Sequence, residues 1–137
     1  DEKSKIDLEQ VMTLKSKFIS IKKINKGDRV GYGGTWKAKK ETVIGILPIG
    51  YADGYLTGMG NSAYVLVKGA KAKVIGRVSM DLTAVDLSNC KNPDYDSEVI
   101  LWGNNLKIDK VSKFANSIPY ELMTSVSKRV KREYVFK

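Results

Sequence analysis

From Val11 to Ile24 polar and apolar residues interleave. Val11, Thr13 and Lys15 alternate with Met12, Leu14 and Ser16, and Phe18-Ile19-Ser20-Ile21 follows. β-branched enrichment without a helical stripe predicts one long strand here. Asn25-Lys26-Gly27-Asp28 reads as a turn. Arg29 to Lys37 predicts a second extended piece, interrupted by Gly31, Gly33 and Gly34. Three glycines in a strand mark a bulge, or a place where something approaches the backbone. The apolar run from Thr42 to Ile49 predicts a strand buried on both faces, and it runs into the loop Gly50-Tyr51-Ala52-Asp53-Gly54. Tyr64–Val67 and Ala72–Ile75, on either side of Lys68-Gly69-Ala70, read as a hairpin. Leu82 to Leu87 alternates again, Ser88 to Asp96 is a polar loop containing Pro93, and Val99 to Trp102 is a short strand.

A helical stripe first occurs at Ile108, Val111, Phe114 or Ala115, and Ile118, with Asp109 as the expected N-cap. Pro119 suits the first turn of a second short helix through Met123. Arg129 to Phe136 is expected to close the chain as a basic strand. The sum is a mainly β fold: a compact β-barrel-like domain over 11–137 with one or two short helices near its C-terminus, preceded by a linker or frayed start over 1–10. By pattern alone any small barrel or sandwich fits.

The chain has 137 residues, 42% of them hydrophobic and 28% charged, which suits one domain with its own core. No window approaches eighteen apolar residues, so no membrane span is expected, and the charged start Asp1-Glu2-Lys3-Ser4-Lys5 does not read as a signal peptide. Cys90 is the sole cysteine, in keeping with a reducing compartment. With no histidine, a metal site or a serine–histidine relay within this chain is not expected. The net charge of +9 raises the alternative of a nucleic-acid partner, but the lysines are spread through the strands rather than bunched.

Candidate chemistry therefore rests on Tyr, Lys, Arg, Asp, Glu and backbone groups. Tyr32 lies in Gly31-Tyr32-Gly33-Gly34-Thr35-Trp36, Tyr51 in Gly50-Tyr51-Ala52-Asp53-Gly54, and Tyr120 in Ile118-Pro119-Tyr120-Glu121-Leu122. Flanking glycines let a ligand or a second backbone come close to the first two phenols. In Gly76-Arg77-Val78-Ser79-Met80-Asp81 an arginine beside free amides suits a carboxylate or phosphate. Taken singly, each tyrosine is better explained by ordinary packing with a local hydroxyl bond, and the arginine by a surface position.

In series, these segments, together with Val11-Met12-Thr13-Leu14-Lys15 and Leu101-Trp102-Gly103, resemble the C-terminal domain of alanine racemases from about Val11 to Phe136. The resemblance implies a missing N-terminal barrel that holds pyridoxal phosphate on a lysine; 137 residues cannot also supply such a barrel, which takes about 250. It further implies a bacterial, cytoplasmic, head-to-tail homodimer in which this domain completes the partner's site. The whole enzyme would interconvert L- and D-alanine for peptidoglycan, and this domain alone would be inactive and cofactor-free. By the same resemblance Tyr32 is the catalytic tyrosine, Tyr51 narrows the substrate entrance and the Met80 N–H receives the substrate carboxylate. Tyr120 bonds the cofactor phosphate, with Ile118 and Arg77 along the entrance. No contact with nucleic acid or membrane is implied for this domain.

Two departures stand out. Leu56 and Thr57 replace a Pro-Arg common in similar racemases, leaving open a serine or broad-spectrum amino-acid racemase of the same fold. Arg129-Val130-Lys131-Arg132 replaces Arg-Val-Pro-Arg, outside the expected catalytic set. A basic β-barrel binding nucleic acid is the alternative from another class. Under the racemase reading, racemisation needs two proton-transfer groups on opposite faces of Cα. A free phenol, with pKa near 10, is ionised in roughly one molecule per thousand at pH 7, and bringing its pKa to about 7 takes about 4 kcal/mol. The expectation is that cations of the partner barrel supply this.

Overall fold

The computed structural model describes residues 11–136; the expected linker over 1–10 lies outside the described residues. Strands β1 (Leu14–Ser16), β9 (Val99–Trp102), β6 (Tyr64–Val67), β7 (Ala70–Ile75), β8 (Thr83–Asp86), β5 (Thr42–Leu47) and β2 (Ser20–Ile24) form, in that order, one curled seven-stranded antiparallel sheet. A small hairpin, β3 (Arg29–Val30) with β4 (Trp36–Lys37), stands apart from it. Helices α1 (Ile108–Phe114) and α2 (Pro119–Ser125) follow the last strand. Among the described residues no helix is long and apolar enough to cross a membrane.

The main core gathers Leu47, Val65, Val67, Val85, Val99, Leu101 and Trp102 from the sheet with Tyr55, Met59, Val111 and Leu122 from the loops and helices. Burying each such side chain stabilises the fold by roughly 1.5–3 kcal/mol. Lysines instead occupy the exposed alternate positions, as Lys71 and Lys73 do in β7. Several basic residues are paired at the surface, including Lys15 with Glu98 and Lys68 with Asp94.

Four expectations change. The single strand over 11–24 is two strands on opposite edges of the sheet, with β1 against β9 and β2 against β5. Phe18 is buried between them, where its ring lies against Gly45, and the chain leaves the β1 line to deliver it there. Arg29–Lys37 is not one extended piece, because a 3-10 turn at Tyr32–Gly34 folds it back on itself as the β3–β4 hairpin. Lys107, not Asp109, is the N-cap of α1; Asp109 lies in the first turn, where its charge still suits the positive end of the helix. The closing segment Arg129–Phe136 forms no strand, since its arginines are engaged elsewhere.

Candidate active-site face

The Tyr32 turn is placed by two backbones that touch. Gly31 and Gly76 both have positive φ, 87° and 73°. A Cβ on Gly31 would lie 2.8 Å from the Arg77 nitrogen and 2.9 Å from the Gly76 Cα, and one on Gly76 would lie 2.7 Å from the Val30 carbonyl oxygen. Only glycine meets both the conformation and the spacing. Asn61 secures the same junction: its Oδ1 accepts the Gly76 N–H at 2.7 Å and its Nδ2 donates to Thr35 Oγ1 at 3.1 Å.

The Tyr32–Gly34 turn is thereby held against Arg77. Arg29 Nη1 donates to the Gly34 carbonyl at 3.0 Å, and Arg77 Nη1 stands 3.9 Å from where a Cβ on Gly33 would be. Two guanidiniums of this chain therefore border the backbone of the turn. The Tyr32 side chain itself lies outside the described residues.

The second pair of loops is tied in the same way. The Tyr51 N–H donates to the Ser79 carbonyl and the Ala52 N–H to the Met80 carbonyl, each at 3.0 Å. Gly50 lies so close to both carbonyls that a Cβ there would overlap them. Ser79 closes its own turn: its N–H donates to the Leu82 carbonyl at 3.0 Å and its Oγ accepts the Leu82 N–H at 3.1 Å. With its carbonyl engaged, Met80, a residue 52% exposed, keeps a backbone N–H that donates to nothing among the described residues. A fixed, unpaired amide in an open loop is a ready donor to an anion. Tyr51, 47% exposed, stands beside it.

A third tie was not visible in the sequence. Arg129 Nε donates to Asp53 Oδ1 at 2.6 Å and Nη2 to Asp53 Oδ2 at 3.2 Å, while Nη2 also reaches Asp81 Oδ1. Asp53 Oδ2 in turn accepts the Gly50 N–H at 2.9 Å. Burial by itself would raise the Asp53 pKa, but the Arg129 bond, the Gly50 amide and the Arg129 charge together hold it below its ordinary value. Arg129 is held above its own ordinary value by the same two carboxylates. The segment expected to lie outside the site thus reaches both loops that form it. Arg132 caps the preceding turn, donating to the carbonyls of Val126, Ser127 and Val130. The two aspartates that Arg129 joins lie 76 and 48 residues from it, so no local pattern signals either pair.

Ile118 and Tyr120 begin α2, where buried Leu122 anchors the helix and the Ser127 N–H ties its end to the Asp53 carbonyl at 3.1 Å. Tyr120 is 73% exposed, and its phenol oxygen bonds to nothing among the described residues. Direct bonds thus join Tyr51 to the Met80 turn, and backbone contact joins the Tyr32 turn to Arg77; among the described residues no hydrogen bond joins Tyr120 or Ile118 to either. A cleft of about 280 Å³ opens beside the Tyr32 turn and is lined by Arg29, Gly31, Arg77, Ser79 and Leu82 among others. Of the two residues that depart from the Pro-Arg of similar racemases, Leu56 packs against the core and Thr57 is exposed.

Tyr55, in the same loop, is fully buried, and its hydroxyl has no partner among the described residues. Burial pushes its phenol well above the ordinary range, so it is neutral. A buried hydroxyl without a partner costs about 1–3 kcal/mol. Tyr55→Phe removes that cost while keeping the ring, so the urea-unfolding free energy is expected to rise by about 1 kcal/mol. A fall of that size would mean that the hydroxyl is bonded after all.

Residues 11–134 match the family described as "Alanine racemase, C-terminal domain". The chain is 41% identical over 128 residues to the alanine racemase of Thermodesulfovibrio yellowstonii, a stretch that covers 90% of this chain and 35% of that protein. It superposes on the biosynthetic alanine racemase of Pseudomonas aeruginosa with a TM-score of 0.86 and 40% identity, covering 90% of this chain and 35% of that one. For the Bartonella henselae alanine racemase, solved with covalently bound pyridoxal phosphate, the TM-score is 0.86 at 32% identity, covering 90% of this chain and 34% of that one. The chain spans about a third of the length of these relatives. With its curled sheet, two short helices and match over 11–134, it belongs to the alanine racemase C-terminal domain family.

Proposed function

We propose that residues 11–137 complete the active site of a pyridoxal-phosphate-dependent alanine racemase whose N-terminal barrel lies outside this chain. The enzyme works as a cytoplasmic homodimer that interconverts L- and D-alanine and supplies D-alanine for peptidoglycan, each domain serving its partner's barrel. The observation that carries this reading is the unpaired Met80 amide, fixed by backbone bonds to the Tyr51 loop. It is a built donor for a carboxylate on a face that already carries an exposed phenol and two guanidiniums.

The donor chemistry fits the cofactor. A free amide, the unbonded Tyr120 phenol and two guanidiniums suit an anionic ring-and-phosphate group, and they stand on an open surface, as suits a domain that covers a cofactor held elsewhere. Bound pyridoxal phosphate supplies the electron sink that lets the α-proton of an amino acid leave. Tyr120 donates its phenol hydrogen to the phosphate. Met80 N–H holds the substrate carboxylate, Tyr51 narrows the entrance, and Arg77 and Ile118 line its outer part. Tyr32 takes or returns the proton on one face of Cα at its phenol oxygen, the barrel lysine serving the other. A phenol that works near neutral pH needs positive charge close by, and Arg29 and Arg77 border its turn.

The test is the full-length protein, loaded with pyridoxal phosphate and given L-alanine, with D-alanine followed by optical rotation. Turnover in both directions is expected. A loaded dimer that leaves both antipodes untouched would overturn the reading.

A further inference from the structure

We infer that Arg129 is a positioning residue that fixes the Met80 amide relative to Tyr51, and so sets how tightly the domain holds a substrate carboxylate. The inference rests on the reading above and concerns a residue that the resemblance leaves without a role.

Backbone bonds, Tyr51 to Ser79 and Ala52 to Met80, join the two loops that make the anion-receiving face. Arg129 spans them with its side chain. On one side it holds Asp53, whose carboxylate also takes the Gly50 N–H and so fixes the start of the Tyr51 turn. On the other it holds Asp81, the residue immediately after Met80. The planar guanidinium makes both contacts at once, and a lysine ammonium cannot reproduce that fork. The Asp53 carboxylate is nearly buried, with its side chain 10% exposed, whereas Asp81 is 59% exposed and has no other partner among the described residues. The arm to Asp53 therefore anchors the arginine, and the arm to Asp81 governs the peptide that carries the free amide.

Arg129 touches neither reacting atoms nor the proton path. Loosening it lets the Met80 N–H move off its line to the carboxylate, which weakens binding and leaves proton transfer nearly intact. An interaction made equally in ground and transition states is lost as a higher KM with little change in kcat.

The experiment uses the full-length, cofactor-loaded dimer and compares wild type with Arg129→Lys, Asp81→Asn and the exposed control Lys131→Ala. Two quantities are read: the KM and kcat for L-alanine, and the dissociation constant of propionate, a carboxylate without an α-amino group, by calorimetry. Arg129→Lys is expected to raise both the KM and the propionate constant about ten-fold, with kcat within about three-fold of wild type. Asp81→Asn is expected to move both the same way by a smaller factor, and Lys131→Ala to move neither.

Unchanged KM and propionate binding in both Arg129→Lys and Asp81→Asn would overturn the inference. A fall in kcat at constant KM would overturn it as well, since it would give Arg129 a part in the chemistry or merely in the fold. If Arg129→Lys fails to fold, Asp81→Asn, at an exposed carboxylate, decides by the same two readings. A wild-type dimer that does not racemise alanine fails the reading beneath, whatever the propionate constants show.

Discussion

In the full-length dimer, Tyr32→Phe is expected to lower kcat for L-alanine by about two to four orders of magnitude, the usual worth of a positioned acid–base group. The substitution removes one oxygen and keeps the ring. The turn that carries the residue is held by the Gly31–Gly76 contact and by Asn61, neither of which involves the phenol. Folding should therefore survive, and cofactor loading, which the proposal assigns to the N-terminal barrel, should match wild type. The proposed assignment gives the carboxylate to Met80 and not to Tyr32, so KM should change little. A variant that keeps more than about a tenth of the wild-type turnover would remove Tyr32 from the chemistry.

Gly50→Ala is expected to have an effect of similar size for a structural reason. The added methyl meets the carbonyls of Ser79 and Met80, which are backbone atoms that cannot swing away as a side-chain end can. The Tyr51 turn must separate from the Met80 turn, at the cost of the Tyr51 and Ala52 amide bonds and of the Gly50 amide bond to Asp53. Overpacking of this kind costs about 1–3 kcal/mol, and a displacement near 1 Å at a reacting centre costs about a hundred-fold in rate. Urea unfolding should show the loss of stability, and kcat/KM for alanine should fall about a hundred-fold. Wild-type values in both assays would show that the two loops are not locked as described.

How much of this was legible in the sequence depended on how local each feature is. The short apolar run Val99–Trp102 and the hairpin around the turn Lys68-Gly69-Ala70 both stand where the sequence puts them. The run over 11–24 misled because β-propensity does not name a strand's partner: β1 and β2 belong to opposite edges, and Phe18 between them is drawn inward by Gly45, far along the chain. The glycines around Tyr32 announced a close approach, but that Gly76 makes it is a tertiary fact. Arg129 was the largest omission. Its partners lie 76 and 48 residues away, and a basic C-terminal segment looks the same whether its arginines meet solvent or carboxylates.

The central claim, that Tyr32 serves one face of the substrate and a second base the other, is tested most directly by α-hydrogen exchange in deuterium oxide on the loaded, full-length Tyr32→Phe dimer. With the phenol gone, the opposite base still reaches its own antipode. One enantiomer of alanine should therefore wash its α-hydrogen into solvent near the wild-type rate, while the other slows by about a hundred-fold or more. Exchange that falls equally for both antipodes, or persists for both, would contradict the account.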